Sequence, residues 1–307
     1  MIGNAAPVLD EPKIVRTKHI GRWTGALLCA TLAGLLLQSA LTNPRFGWDQ
    51  VALFFRDGAI VQGIGVTLEL TVICMVLGVG LGIVLAVMRI SSNPVISWIA
   101  RAYQGFFRGT PVLVQLLFWF NLAALYPSIS FGIPGVALNA NELITPMAAA
   151  ILGLALNEAA YMSEIVRAGI LSVDPGQSEA AGALGLTRLQ AMQRIILPQA
   201  MRVIIPPTGN EAIGMLKATS LVSVIAVPEL LYSSQIIYSK NFQVIPLLLV
   251  ASIWYIIITT ICNVGQGYLE RRYSRGATRT VHVGTVTRIR RFFQGTPAPA
   301  ARKEPRP

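Results

Sequence analysis

Seven polar or ionisable side chains stand in stretches that are otherwise apolar: Glu69, Asn157, Glu158, Glu164, Asn210, Glu211 and Lys217. Groups of this kind are costly in a hydrocarbon environment, so they face a cavity or one another. Their types suit charge pairing and hydrogen bonding. Glu158 and Glu211 can meet Lys217 as a structural network, can line a cavity, or can be solvated at a membrane edge, and spacing alone leaves the three open. Glu164 and Arg167 read as topological groups near the inner end of their segment. Arg108, just ahead of Thr110-Pro111, reads as a helix-start anchor at the inner surface. Catalytic chemistry finds little support. The two histidines, His19 and His282, lie in polar terminal segments. Cys29, Cys74 and Cys262 fall inside apolar runs and read as packing residues rather than as a disulfide or metal site. Neither a catalytic residue nor a metal ligand is expected.

The elements that must position these groups are membrane spans. Of 307 residues, 53% are hydrophobic and only 13% charged, with a mean hydropathy of +0.59. Soluble domains carry about 25% charged residues, and about 20 consecutive apolar residues suffice to cross a bilayer. Six segments approach that length, at about 23–41, 61–88, 111–127, 144–166, 203–227 and 244–268. The first follows Lys13, Arg16, Lys18 and Arg22, and its long polar leader favours a retained anchor over a cleaved signal peptide. With the N-terminus inside, 21 of the 25 Lys/Arg fall in inner segments and three (Arg45, Arg56, Lys240) in outer ones, with Lys217 inside a span. That asymmetry sets both termini on the cytoplasmic side. The net charge of +11 therefore reflects topology and not a nucleic-acid groove. Within the second segment, Gly78 and Gly82 have the spacing that lets helices approach closely. They are not a phosphate loop, because no Gly-Lys-Ser/Thr occurs in the chain. Any ATP used must be bound by another polypeptide. Pro206-Pro207 interrupt the fifth segment as a hinge or a static kink. The tail from 273 to 307, rich in Arg, Thr, Pro and Ala, cannot bury an apolar face and reads as disordered.

One inner connection is not a simple loop. In "EAAGALGLTRLQAMQRIILP" (179–198), Asp174-Pro175 supplies a helix start. Gly185 suits a left-handed C-cap, and Thr187 with Gln190 has capping-box spacing for a second helix. That helix places Leu189, Met192, Ile195 and Ile196 on one face, and Pro198 ends or kinks it. Spacing alone allows a helix lying on the membrane, one packed under its own bundle, or one that docks a partner.

The pattern Glu179-Ala180-Ala181, Gly185, Ile195, Leu197-Pro198 resembles the EAA loop of membrane subunits of ABC importers. "FFRGTPVLVQLLFW" (106–119), "AYMSEIVRAGILSV" (160–173) and "KATSLVSVIAVPEL" (217–230) are similar to blocks of the polar amino-acid permeases. The resemblance covers about residues 58–272. It implies an all-α integral membrane protein with a type I ABC importer permease fold, a five-helix core plus one extra N-terminal helix with its outer loop over 23–57. It implies that residues 175–198 dock a separate ATPase, that ATP and Mg bind on that partner and no cofactor on this chain, and that two ATPases, a second permease and an extracytoplasmic binding protein complete the assembly. On this view Asn157, Glu158, Asn210, Glu211, Lys217 and Ser220 are candidates for a translocation path for polar amino acids or for an intramembrane network. The chain departs from the family at Lys217-Ala218-Thr219-Ser220-Leu221, where an acid usually follows the lysine. An ion-coupled transporter would leave the hairpin unexplained and usually shows repeats that are absent from this sequence. A membrane enzyme would need an acid–base or metal cluster that is not seen.

Overall fold

The computed structural model describes residues 20–129 and 138–273. The polar leader and nearly all of the Arg-rich tail, with the readings made for them, lie outside the described residues. In chain order the helices begin with α1 (Ile20–Thr42), a 3-10 turn at Pro44–Phe46, α2 (Trp48–Phe54) and α3 (Gly58–Ile90). Then come α4 (Pro94–Gly109), α5 (Val112–Phe120) and α6 (Leu122–Leu125). Two short strands, β1 (Ser128–Ile129) and β2 (Leu138–Asn139), pair antiparallel with Ser128 opposite Asn139. After α7 (Ala140–Leu143), the helix α8 (Pro146–Leu171) leads to α9 (Pro175–Ala183) and α10 (Arg188–Ala191). A π-helical stretch, Met192–Ile196, joins α10 to α11 (Leu197–Ala218), which continues as a 3-10 segment, Thr219–Ile225. The last helices are α12 (Leu230–Asn241) and α13 (Val244–Tyr273).

Helices α1, α3, α8 and α13 are each long and apolar enough to cross a membrane, and the bent pair 188–225 with α12 makes a fifth candidate. The 33 residues of α3 extend about 50 Å at 1.5 Å per residue, and α3 packs along α8 as the central pair. Small residues make the approach possible: a β-carbon on Gly78 would sit 2.6 Å from Glu158 Cγ, and one on Gly82 would sit 2.6 Å from Met162 Cβ. Leu70, Cys74, Leu116, Leu154, Val222 and Ile225 fill one core where α3, α5, α8 and the 3-10 segment meet. Ile60, Leu230, Leu247 and Val250 fill a second between α3, α12 and α13. By contrast, no described side chain of α1 is buried, and Trp48 Nε1 fastens the end of that helix by donating to Ala40 O at 2.9 Å.

The segment expected to span at 111–127 is not one helix. Its nine-residue α5 reaches only about 14 Å. The preceding α4 completes the climb along α8: Tyr103 Oη donates to Leu156 O at 2.8 Å, and Phe107 O accepts from Asn157 Nδ2 at 2.8 Å. The two helices break at Thr110, which is extended (φ −115, ψ 143) because Pro111 disfavours a helical residue before it. Arg108 accordingly sits at the C-terminal end of α4, over the ring of Tyr161. Tyr161 is ten residues from the end of α8, or about 15 Å along its axis. Arg108 therefore closes one helix and does not start the next. A second unforeseen element is α12. The chain turns at Ala226, whose φ of 61 is left-handed, and α12, bent by 42° from the helix before it, packs against α3 and α13.

Candidate functional site

Two places bring the expected residues together: the hairpin at 174–199 and the polar groups where α4, α8 and α11 face one another.

The hairpin is built by local capping. The Asp174 carboxylate accepts from Gly176 N at 2.7 Å, and Pro175 occupies the first turn of α9. The helix ends in a Schellman arrangement: Leu186 N donates to Ala181 O at 3.1 Å, Gly185 N donates to Gly182 O at 3.0 Å, and Gly185 has φ +75. Thr187 Oγ1 accepts from Gln190 N at 3.3 Å while Gln190 Oε1 accepts from Thr187 N at 2.9 Å, a complete capping box. Pro198 does not end the second helix. The backbone widens to a π turn just before it and runs on into α11, so the missing N–H and the bulk of the proline ring are accommodated without a break. Gln199 Nε2 reaches Gln177 Oε1 at 3.3 Å and ties α11 back to α9. Within the motif Ala181 is buried and anchors the hairpin, and Ile195 is half-buried. Glu179, Ala180, Gly185, Leu197 and Pro198 are exposed, as are Leu184 (79%) and Leu189 (65%) near the tip. Leu189 thus leaves the apolar face expected of it, and Met192, Ile195 and Ile196 are half-buried.

In the second place, Asn157 and Gln115 seal the α4–α5 break. Asn157 Nδ2 donates to Phe107 O and to Gln115 Oε1 at 3.2 Å. Gln115 Nε2 donates to Phe107 O (2.9 Å), Thr110 O (3.1 Å) and Thr110 Oγ1 (2.7 Å). Glu158 is 5% exposed, lies across Gly78, and leaves its buried Oε1 without a hydrogen-bond partner. Glu211 on α11 is half-buried, within electrostatic reach of both Glu158 and Arg108. The Arg108 guanidinium lies 5.1 Å from the Tyr161 ring centroid, a cation–π distance. Asn210 is exposed, and Ser220 Oγ donates to Lys217 O at 2.7 Å. Lys217 is exposed and makes no ion pair with Glu158 or Glu211, so the three do not form the salt-bridged network that their types allow. Lys217 lies in the last turn of α11, which ends at Ala218. Glu69 is exposed on α3.

Ion pairing among the described residues gathers instead on Glu164, which meets Arg167 and, at 3.7 Å, Arg89. Gln104 Nε2 adds a bond to Glu164 Oε2 at 3.1 Å, so one carboxylate links α3, α4 and α8.

Sequence reasoning missed one buried carboxylate altogether. Glu229, fully buried, caps α12 by accepting from Leu231 N (2.9 Å) and Tyr232 N (2.8 Å), and it accepts from Tyr255 Oη at 2.7 Å. The available signal was Pro228-Glu229 ahead of an apolar run, but glutamate is not among the preferred N-caps.

Comparison with known proteins bears on both places. The family model described as binding-protein-dependent transport system inner membrane component matches residues 78–275. The arginine transport system permease protein ArgU of Corynebacterium glutamicum is 48% identical over 276 residues, 88% of this chain and 87% of that protein. The probable amino-acid permease protein YxeN of Bacillus subtilis is 38% identical over 70% of this chain and 92% of its own length. Among solved structures, an amino acid ABC transporter with histidines is 36% identical, covers 70% of this chain and 94% of its own, and superposes with a TM-score of 0.60.

Proposed function

Because the chain belongs to the family of binding-protein-dependent transport system inner membrane components, we propose that its exposed hairpin is the surface on which an ATPase subunit docks. The chain is a membrane-spanning permease subunit of an amino-acid importer of the ABC type. It is a transporter subunit and not itself an enzyme, and its family works with a separate binding protein. In our reading two ATPases carry ATP and Mg, this chain binds no cofactor, and a second permease, identical or related, completes the membrane unit. The hairpin and both termini face the bacterial cytoplasm, the side to which the Lys/Arg asymmetry assigns them.

The observation that carries this reading is the hairpin itself. It is capped at three points, uncovered at its tip, and continuous through a π turn with α11. A stiff element of this kind passes a displacement at its tip to the helix that bears Asn210 and Glu211. Nucleotide on one side of the membrane and loaded binding protein on the other then each favour a different opening of the path.

For the cargo we place the translocation path where Arg108, Asn210, Glu211, Lys217 and Ser220 lie. Glu211 suits the ammonium of an amino acid, and Arg108 or Lys217 its carboxylate. Glu158 adds a second carboxylate beside Glu211, which suits the cationic side chain of a basic amino acid. The likeness to a relative named for arginine transport supports this choice.

The test is to purify the tagged chain from its native membranes and identify what accompanies it, with Ala183→Cys as a crosslinking position. An ATPase joined through residue 183 is the expected result, and its absence after crosslinking would overturn the docking reading. Gly185→Pro should lower uptake at least about tenfold without affecting insertion, because proline cannot adopt the positive φ found there. Normal uptake in that variant would count equally against docking.

A further inference from the structure

A second feature concerns how movement leaves the hairpin. From Arg188 the backbone is helical without interruption to Ile225, yet Pro206 and Pro207 lie inside α11. Neither has an N–H, so the carbonyls of Arg202 and Val203 lose their main-chain donors. Two successive missing bonds make this the softest point of the helix. A push delivered at the hairpin is absorbed there by bending unless something braces the far side.

The brace comes from α13. Gln266 is 6% exposed, and its Nε2 donates to Pro206 O at 2.6 Å and to Glu270 Oε1, one turn further along α13, at 3.2 Å. Its amide lies flat against Gly209, where any β-carbon would collide with Gln266 Oε1. That same oxygen is buried and has no hydrogen-bond partner. A polar side chain is thus pressed into a slot that only glycine leaves open, and one oxygen is left unsatisfied in order to grip the backbone at the double proline. Packing alone would be met more cheaply by an apolar residue. Within α11 itself Thr208 Oγ1 donates to Ile204 O at 2.8 Å, which splints one side of the weak point.

We propose that Gln266 is a positioning residue for coupling: by holding the Pro206-Pro207 break against α13, it makes a displacement of the hairpin move α11 and α13 together. This rests on the docking reading above. Without the brace, the ATPases still close and hydrolyse ATP, but the path is not driven through its cycle.

The experiment uses the complete complex in proteoliposomes, with labelled arginine uptake and ATP hydrolysis measured on the same sample. Gln266→Met keeps the length of the side chain and removes the donor. It should lower uptake per ATP about tenfold while hydrolysis persists. Gly209→Ala, which displaces the amide, should act in the same direction. In a Pro206→Ala/Pro207→Ala background the helix regains its donors, so Gln266→Met should there change the ratio less than about twofold. An unchanged ratio in the native background, an equal loss in both backgrounds, or failure of both Gln266→Met and Gly209→Ala to assemble would overturn the proposal. A wild-type complex that lacks an ATPase or takes up no amino acid would instead refute the docking reading, a result distinct from any of these.

Discussion

Two prolines mark two different kinds of interruption in this molecule. At Thr110-Pro111 the helix stops, the backbone becomes extended, and the exposed carbonyls are taken by side-chain amides from Gln115 and Asn157. At Pro206-Pro207 the helix continues, and a single amide from Gln266 holds one carbonyl beside the gap. The first is an elbow fixed from two helices. The second is a joint supported from one side. The residue type is the same in both, so the difference lies in how many donors the neighbours supply. A break whose polar groups are all satisfied is rigid, whereas one left short of donors can bend.

That contrast can be broken by experiment, with stability and coupling read separately. The largest effect should come from Gln115→Leu. It removes three donated bonds and leaves the carbonyl of Thr110 without its amide donor, at a cost of about 3 kcal/mol in thermal unfolding of the purified complex. Complexes that do assemble should keep their normal uptake per ATP. An altered ratio at full stability would mean that the elbow also moves. Thr110→Val takes away the hydroxyl that accepts from Gln115 and donates to Phe106 O, and about 1–2 kcal/mol is expected in the same melt. The smallest effect belongs to the joint. Pro206→Ala/Pro207→Ala should raise the melting temperature by about 2–4 °C, since the two recovered donors outweigh the loss of two half-buried rings. A fall in melting temperature would show that the prolines are needed for the shape of α11.

Much of this architecture was legible because its causes are local. Asp174-Pro175, Gly185 and the Thr187/Gln190 pair specify the hairpin within a few residues, and the structure carries each of those caps. The apolar lengths of α1, α3, α8 and α13 announce themselves in the same way, as does the Gly78/Gly82 approach. What escaped depends on partners far along the chain. Nothing near Arg108 says that α4 climbs α8, because the groups that hold it there, Leu156 and Asn157, are about 50 residues away. Reading Arg108 as the start of a helix therefore missed that it ends one. Lys217 has the right type to pair with Glu211, but on a helix six residues' separation puts them on different faces. Glu229 escaped because glutamate is a weak N-cap signal and the Tyr255 hydroxyl that also holds it arrives only on folding.

The isolation of α1 carries a consequence for how this chain tolerates change. A helix whose neighbours within the chain bury none of its described side chains contains little shape information: Leu, Ile, Val or Phe serve equally at nearly every position from 24 to 39. At Gly78 or Gly82 not even one added methyl is admissible without displacing α8. A random library over the two helices would therefore return nearly every apolar sequence in α1 and almost none in the middle of α3. The sequence of α1 is constrained as a solute in lipid, that of α3 as a piece in a fitted assembly.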